Sequence, residues 1–284
     1  MGGAVFRRAR PWLGTLVEIR VEGLDAARAI RAIEAAFAEV AAVHRCMSFH
    51  ESGSDLSRLH RARVGETVRV DARTRAVLDC ALSIAQASNG CFDPTIAGWQ
   101  VERRVLPRPD SPFEPDPRAT WRDIELLADS QVRLSRPLWI DLGGIAKGYA
   151  VDRAIEVLHG AGAERVCVNA GGDLRVAGPR AERVHVRDAL GRVTAVVDAA
   201  DGAIASSTSA LRGAAAQHWH GGEHRPVNGA VTVTVAAPHC MIADALTKVV
   251  LAQPAASSAV LATFGAHACA HDLRHGWRHI GAAA

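Results

Sequence analysis

Asp141-Leu-Gly-Gly-Ile-Ala-Lys-Gly-Tyr-Ala-Val-Asp152 sets an acid, three glycines and a lysine within eight residues and then runs into a helical pattern. Glycines let main chain approach a ligand closely, a helix start offers free N–H groups, and lysine adds charge. Together they suit a phosphate-bearing ligand. About a hundred residues later, Ala243-Asp-Ala-Leu-Thr-Lys248 follows an apolar strand and a loop. Asp244 there is open to two readings. It can cap the first N–H groups of the helix, or it can be a hard carboxylate ligand with Thr247, one turn on, supplying another oxygen. Oxygen-only ligation suits Mg²⁺, which also takes phosphate oxygens from its substrate. Asp141 carries the same ambiguity, and Lys147 by itself reads as a surface lysine.

Other segments are two-sided as well. Cys91-Phe-Asp-Pro-Thr-Ile-Ala-Gly-Trp99 can be loop packing or the wall of a planar ligand's pocket. Asn169-Ala-Gly-Gly-Asp173 reads as a tight turn ending a strand. Ala205-Ser-Ser-Thr-Ser209 can cap a segment or present hydroxyls. His218, His220 and His224 are a compositional cue to a metal, set in a glycine-containing loop where histidines are usually solvated. His44, His50 and His60 each read as structural when taken alone. No GxxxxGK[ST] loop, GxSxG elbow or HExxH pair is present, and Gly160-Ala-Gly162 lacks the third glycine of the dinucleotide fingerprint.

The elements that must position these segments follow from periodicity. Leu13–Val21 alternates as a strand, and Asp25 caps a helix running to about Arg45. Ser48–His60 is a polar loop leading into a short helix. Thr74–Ser88 is an amphipathic helix stopped by Asn89-Gly90. Leu106–Pro117, with five prolines, is a surface loop. Leu138–Leu142 reads as a short strand entering the glycine-rich turn, and Lys147–His159 as a helix. Short strands are expected over Val166–Asn169, Leu174–Val176, Val184–Arg187, Val193–Val197, Ala203–Ser206 and Val231–Val235. Helices over Ile242–Leu251 and Ser257–Phe264 and a terminal strand over His267–Ala270 complete the chain. Helices cluster in the first half and at the end, with strands between, which fits an α+β architecture of mostly antiparallel sheets.

The 284 residues are 49% hydrophobic and 22% charged, with a net charge of +3, normal for a soluble globular chain and against disorder. Charges are interleaved apart from Arg7, Arg8 and Arg10, so no nucleic-acid groove is indicated. The six cysteines are widely spaced without a CxxC and read as reduced, mostly core thiols. No run approaches the ~20 apolar residues of a membrane span. Pro11 and Glu18 interrupt any signal-peptide core. The expected setting is cytoplasmic, or periplasmic if a leader has been trimmed.

Taken in order, these segments resemble the FAD:protein FMN transferase (ApbE) family. The resemblance runs from residue ~13 to ~250 through Leu13-Gly-Thr15, Met47-Ser48 with Ser54-Asp-Leu-Ser-Arg-Leu59, and Gly90-Cys-Phe-Asp-Pro-Thr95. It continues through Asp141-Leu-Gly-Gly-Ile-Ala-Lys-Gly148, Asn169-Ala-Gly-Gly-Asp173, Ser206-Ser-Thr-Ser209 and Ala243-Asp-Ala-Leu246. It implies one domain over residues 1–284, of the T-fold kind with a second packed lobe and FAD between the lobes. It also implies a reaction. A Thr or Ser hydroxyl of an acceptor flavoprotein attacks the FMN-side phosphorus of FAD, AMP leaves, and FMN stays in a phosphoester bond, with Mg²⁺ bridging the pyrophosphate. On the same resemblance Asp244 and Lys147 are catalytic. Leu13, His50, Phe92, Asp93, Pro94, Asp141 and Lys147 would hold FAD, and Gly144 (through its carbonyl), Asp244 and Thr247 would hold the metal. The chain departs from the family at Lys248, where a second hydroxyl is usual, at Leu13 for methionine, and at His60, where asparagine is common. It also lacks the His-x-x-Asp-Pro segment before the Val-Thr strand. Those departures keep two alternatives open: an FAD-binding protein without transfer, and a Mg²⁺-dependent FAD pyrophosphatase giving FMN and AMP.

Overall fold

Val5–Trp12 (β1) and Thr15–Glu22 (β2) pair antiparallel around a two-residue turn at Leu13-Gly14, whose φ angles are 57° and 73°. Such a turn needs left-handed backbone at both positions, which glycine accepts freely and leucine only under strain. A computed structural model describes residues 4–209 and 218–281. After β2 come α1 (Ala26–Met47), α2 (Asp55–Arg61), β3 (Thr67–Arg69), α3 (Ala72–Ala87), α4 (Ala97–Glu102), β4 (Ile124–Leu126) and β5 (Gln131–Leu134). Then follow α5 (Ala146–Gly160), β6 (Arg165–Ala170), β7 (Asp173–Ala177), β8 (Glu182–Arg187), β9 (Val193–Ala199) and β10 (Gly202–Thr208). The chain continues with β11 (Trp219–His220), β12 (Arg225–Pro226), β13 (Val231–Ala237), α6 (Cys240–Ala252), α7 (Ser258–Thr263), β14 (His267–Asp272) and β15 (Gly276–Ile280).

Eight strands form one sheet in the order β1-β2-β6-β7-β10-β13-β14-β15, every neighbouring pair antiparallel. The expected mixed helix and antiparallel-sheet class is therefore the observed one. One sheet face is apolar, with Val17, Ile19, Val168, Ala205, Val233 and Val235 fully buried. Helices α1, α5 and α6 cover it and share its continuous core. A separate three-stranded sheet, β3-β5-β4, packs Ile124, Val132 and Leu134 into the same core. No helix among the described residues is long and apolar enough to cross a membrane.

The helices begin where the sequence places caps: Asp25 accepts from Arg28 N–H, Ser54 from Ser57 N–H and Asp71 from Arg73 N–H. Helix α3 stops at Asn89 and Gly90, both with positive φ. Two expectations need correction. Leu138–Leu142 belongs to no ladder, because its backbone groups bond elsewhere: Asp141 N–H donates to Pro94 O at 2.8 Å and Ile140 N–H to His60 Nε2 at 2.9 Å. The strand at His267 is not terminal, since β15 pairs on its outer edge.

His60 thus ties α2 to the strand-like entry of the glycine-rich turn. It is 2% exposed, and its ring lies 5.2 Å from that of Phe49. Burial pulls its imidazole down to about 4. A histidine depressed on folding takes up its proton in the unfolded chain first, so its contribution is complete above about pH 6.5 and is lost as pH falls toward 4. At 1.36 kcal/mol per pH unit that loss is about 3 kcal/mol. Urea unfolding should show the stability gap between the native protein and His60→Asn shrinking by about that amount between pH 7 and pH 4. A gap independent of pH would contradict the assignment.

Candidate functional site

Two cavities meet between α5, α6, the ends of β7 and β10, and the loop before α4. The first, about 490 Å³, is lined by Phe92, Asp93, Gly144, Lys147, Asp173, Ser207, His218 and Lys248 among others. The second, about 370 Å³ and more apolar, includes Leu13, His50, Phe49 and Leu106. Gln100, Asp141, Gly143 and Lys147 line both, so the two form one cleft with a polar and an apolar compartment.

The polar compartment is built on a row of alternating charges. Lys147 Nζ donates to Asp173 Oδ2 and lies 3.3 Å from Asp244 Oδ2, while Lys248 Nζ donates to Asp244 Oδ1. Gly148 N–H adds a bond to Asp244 Oδ2 at 3.2 Å. Asp244 is wholly buried and Asp173 nearly so. Burial would raise the Asp244 pKa, but the ammonium groups of Lys147 and Lys248 outweigh it and hold the carboxyl below its usual range. Asp173 is shifted the other way, raised by burial and by the charge on Asp244. Burial would lower Lys147, but Asp244 and Asp173 hold its pKa above the ordinary value, so it stays charged.

The local fold explains this row, and it overturns the capping reading of Asp244. Helix α6 begins at Cys240, and its first N–H groups are capped from another helix: Cys240 N–H and Met241 N–H each donate to Asp152 at 2.9 Å. Arg175 Nη1 holds the same carboxylate at 2.9 Å. Asp152 closes the Asp141–Asp152 segment, so that one segment supplies both a site lysine and the cap of the helix facing it. Asp244 therefore sits in the second turn of α6. Gly148 permits the approach, since a Cβ there would stand 2.3 Å from Cys240 O.

The other expected site residues are distributed unevenly. Asp141 lines both compartments; burial raises its pKa against a 2.9 Å bond from Gly143 N–H. Gly144 lines the polar compartment beside Phe92 and Lys248, 3.6 and 3.5 Å from where its Cβ would be. Asp93 reaches the wall, but its oxygens accept from Thr95 N–H and Oγ1 and from Trp121 N–H, so its carboxylate braces the turn. Pro94 is on neither cavity wall and acts through its carbonyl on Asp141. Leu13 and His50 border only the apolar compartment.

Thr247 is wholly buried; its hydroxyl donates to Asp244 O at 2.7 Å and pairs with Ser207 Oγ at 2.8 Å. Both carboxylate oxygens of Asp244 are engaged by cations of the chain itself. The carbonyl of Asp244 also accepts from Thr247 and, at 3.0 Å, from Lys248. This donor set does not fit a Mg²⁺ ion, which needs oxygens free to face it. The three loop histidines do not converge either. His220 pairs with Glu223, His224 stacks on Trp99 at 4.5 Å, and only His218 faces the polar compartment. No group of three or more metal-type side chains occurs among the described residues.

Several site residues escaped the sequence reading. His218 lines the polar compartment, and burial together with Lys248 lowers its imidazole to about 4, so it is neutral at pH 7. Its loop docks on the Cys91 segment through Gly221 N–H to Cys91 O at 2.8 Å. Gln100 is 7% exposed and lines both compartments, and its buried Oε1 lacks a hydrogen-bond partner. Asp173 and Ser207 carried only generic signals, a turn and a hydroxyl run, whereas Lys248 stood out in the sequence as a departure beside Asp244.

A model described as the ApbE family matches residues 13–269. The chain belongs to the ApbE family. It is 30% identical over 226 residues to the FAD:protein FMN transferase of Vibrio cholerae, covering 70% of this chain and 66% of that protein. To the protein of the same name from Treponema pallidum it is 28% identical over 183 residues, covering 60% and 51%. The chain thus spans between half and two thirds of the length of these relatives. Its fold matches the crystal structure of the Thermotoga maritima ApbE protein with a TM-score of 0.83, over 98% of this chain and 97% of that one, at 23% identity. In this ApbE chain the charged row of α5 and α6 stands within the family's matched span.

Proposed function

We propose that the protein is an FAD:protein FMN transferase, moving FMN from FAD onto a Thr or Ser of an acceptor flavoprotein with release of AMP. The observation that carries this reading is the joined cleft: a fixed pair of lysines in its polar half, an apolar half beside it, within a chain of the ApbE family. The apolar half, with Leu13 and His50, suits a flat ring. Asp141 and Lys147 stand at the junction, where the pyrophosphate would cross, with Phe92 on the polar side of it. The second lobe of this reading is the part around α4, whose Gln100 and flanking residues Phe92, Ile96, Val105 and Leu106 line the cleft.

The acceptor oxygen forms a bond to the FMN-side phosphorus as the bond from that phosphorus to the bridging oxygen breaks. The electron pair leaves on AMP. His218, on the wall of the polar compartment, is the group through which the hydroxyl proton passes to water. Lys147 stays positive and offsets charge growing on the transferring phosphoryl group. The Mg²⁺ that the resemblance implies, on Gly144, Asp244 and Thr247, has no step in this reading, because Asp244 and Thr247 are engaged within the chain.

With FAD and a flavoprotein domain bearing a Thr/Ser flavinylation site, AMP should appear only when the acceptor is present. AMP from FAD alone would favour the pyrophosphatase reading, and tight FAD retention without AMP the binding-protein reading.

A further inference from the structure

Lys248 is the departure that the geometry makes specific. It lies one helical turn after Asp244 in α6, and its side chain is 16% exposed. Its ammonium donates to Asp244 Oδ1, to Asp244 O at 3.0 Å and to Ser207 Oγ at 3.3 Å. Two of its three donors are therefore anchored on one buried residue, and the third makes a long bond to a hydroxyl on the cavity wall. The group borders the polar compartment with its Cε beside Gly144. Lys147 anchors on the other oxygen of the same carboxylate. Asp244 thus holds two ammonium groups, one on each oxygen, where a single divalent ion would need those oxygens.

We infer that Lys248 is the chain's built-in cation for the pyrophosphate, so that FAD binding and transfer do not require a divalent metal. This rests on the FMN-transfer reading and deepens it. A pyrophosphate oxygen replaces the long bond to Ser207, and the ammonium keeps its two anchors on Asp244. Lys248 makes and breaks no covalent bond. It steadies charge on the pyrophosphate and on the AMP leaving group, while the acceptor proton goes to His218. An ammonium carries half the charge of Mg²⁺, and the adjacent Lys147 supplies the rest.

The test is FAD affinity by flavin fluorescence quenching, in excess EDTA and in millimolar Mg²⁺, for the native protein and for Lys248→Thr, with thermal melting to show that the variant is folded. The native Kd should agree within about twofold between the two conditions. The variant should lose about tenfold or more in EDTA and regain part of it with Mg²⁺, because Asp244 and two hydroxyls then face the cavity. A native affinity tightened tenfold or more by Mg²⁺ would overturn the proposal, as would an unchanged affinity in the folded variant, and as would absence of FAD binding in both conditions. The native comparison decides even if the variant does not fold. These are binding measurements, so metal-independent FAD binding without FMN transfer would defeat the transfer reading and leave only Lys248's part in FAD binding standing.

Discussion

Asp244→Ala lowers FMN transfer at least about a hundredfold and lowers the melting temperature as well. The carboxylate is wholly buried and holds Lys147, Lys248 and Gly148 N–H together. Removing it leaves two ammonium groups facing one another without their shared anion, a defect of about 3–5 kcal/mol for a buried pair broken on one side. In the cleft the lysines would swing apart or draw in water. At 1.36 kcal/mol per factor of ten, the lower bound already exceeds a hundredfold if it falls on the transition state. Asp244→Asn separates charge from shape: it keeps an acceptor for Lys248 but not the negative charge, so it should melt closer to the native protein and still transfer slowly. Initial rates of AMP release with acceptor, beside melting curves for both variants, check this. Asp244→Ala retaining more than a tenth of native activity would remove the charged row from the mechanism.

Gly148→Ala should cost about 3 kcal/mol or more of stability, with transfer falling alongside. The added methyl would stand 2.3 Å from Cys240 O, 2.5 Å from Cys240 C and 2.7 Å from Met241 N, all backbone atoms of the first turn of α6. No side chain can rotate away, so α5 and α6 must separate, and overpacking of that kind costs about 1–3 kcal/mol or more. The separation stretches the 3.2 Å bond from Gly148 N–H to Asp244 and the caps that Asp152 places on Cys240 and Met241. Gly53→Ala is the control. It meets nothing within 4 Å and its φ is not left-handed, so it should stay within about 0.5 kcal/mol of native. Equal urea midpoints for Gly148→Ala and the native protein would show that the helices give way without cost.

Local signals carried the parts of the fold that local physics decides. The 3.6-residue apolar spacing and the cap at Asp25 place α1, and Asn89-Gly90 ends α3. Alternation located β2 and β13, whose inner faces are buried. Strand β1 escaped because it is an edge strand, mostly exposed, with Arg7, Arg8 and Arg10 where a half-buried strand would show alternation. The three- and four-residue strands β3, β4 and β5 are too short for periodicity to register. Leu138–Leu142 has the apolar run of a strand, yet its N–H groups go to His60 and Pro94 from distant parts of the chain.

The site divides in the same way. Asp141, Lys147 and Asp244 stand out by type and by their glycine-rich or helical surroundings, and they do meet at the cleft. What the sequence could not show was direction. A lysine four residues after an aspartate on a helix is usually a solvated i,i+4 pair; here β10 covers that face through Ser207 and turns the pair inward. Asp152 looked like a routine helix residue, because the helix it caps is not its own. His218 was one of three loop histidines, singled out only once the loop docks on Cys91.

The most direct test of the central claim is the intact mass of an acceptor flavoprotein domain with a Thr/Ser flavinylation site after incubation with the protein and FAD. One added FMN in phosphoester linkage per acceptor is expected, lost when the acceptor hydroxyl is replaced by alanine, with AMP released in equal amount. An acceptor of unchanged mass, with FAD either intact or split to free FMN and AMP, would contradict it.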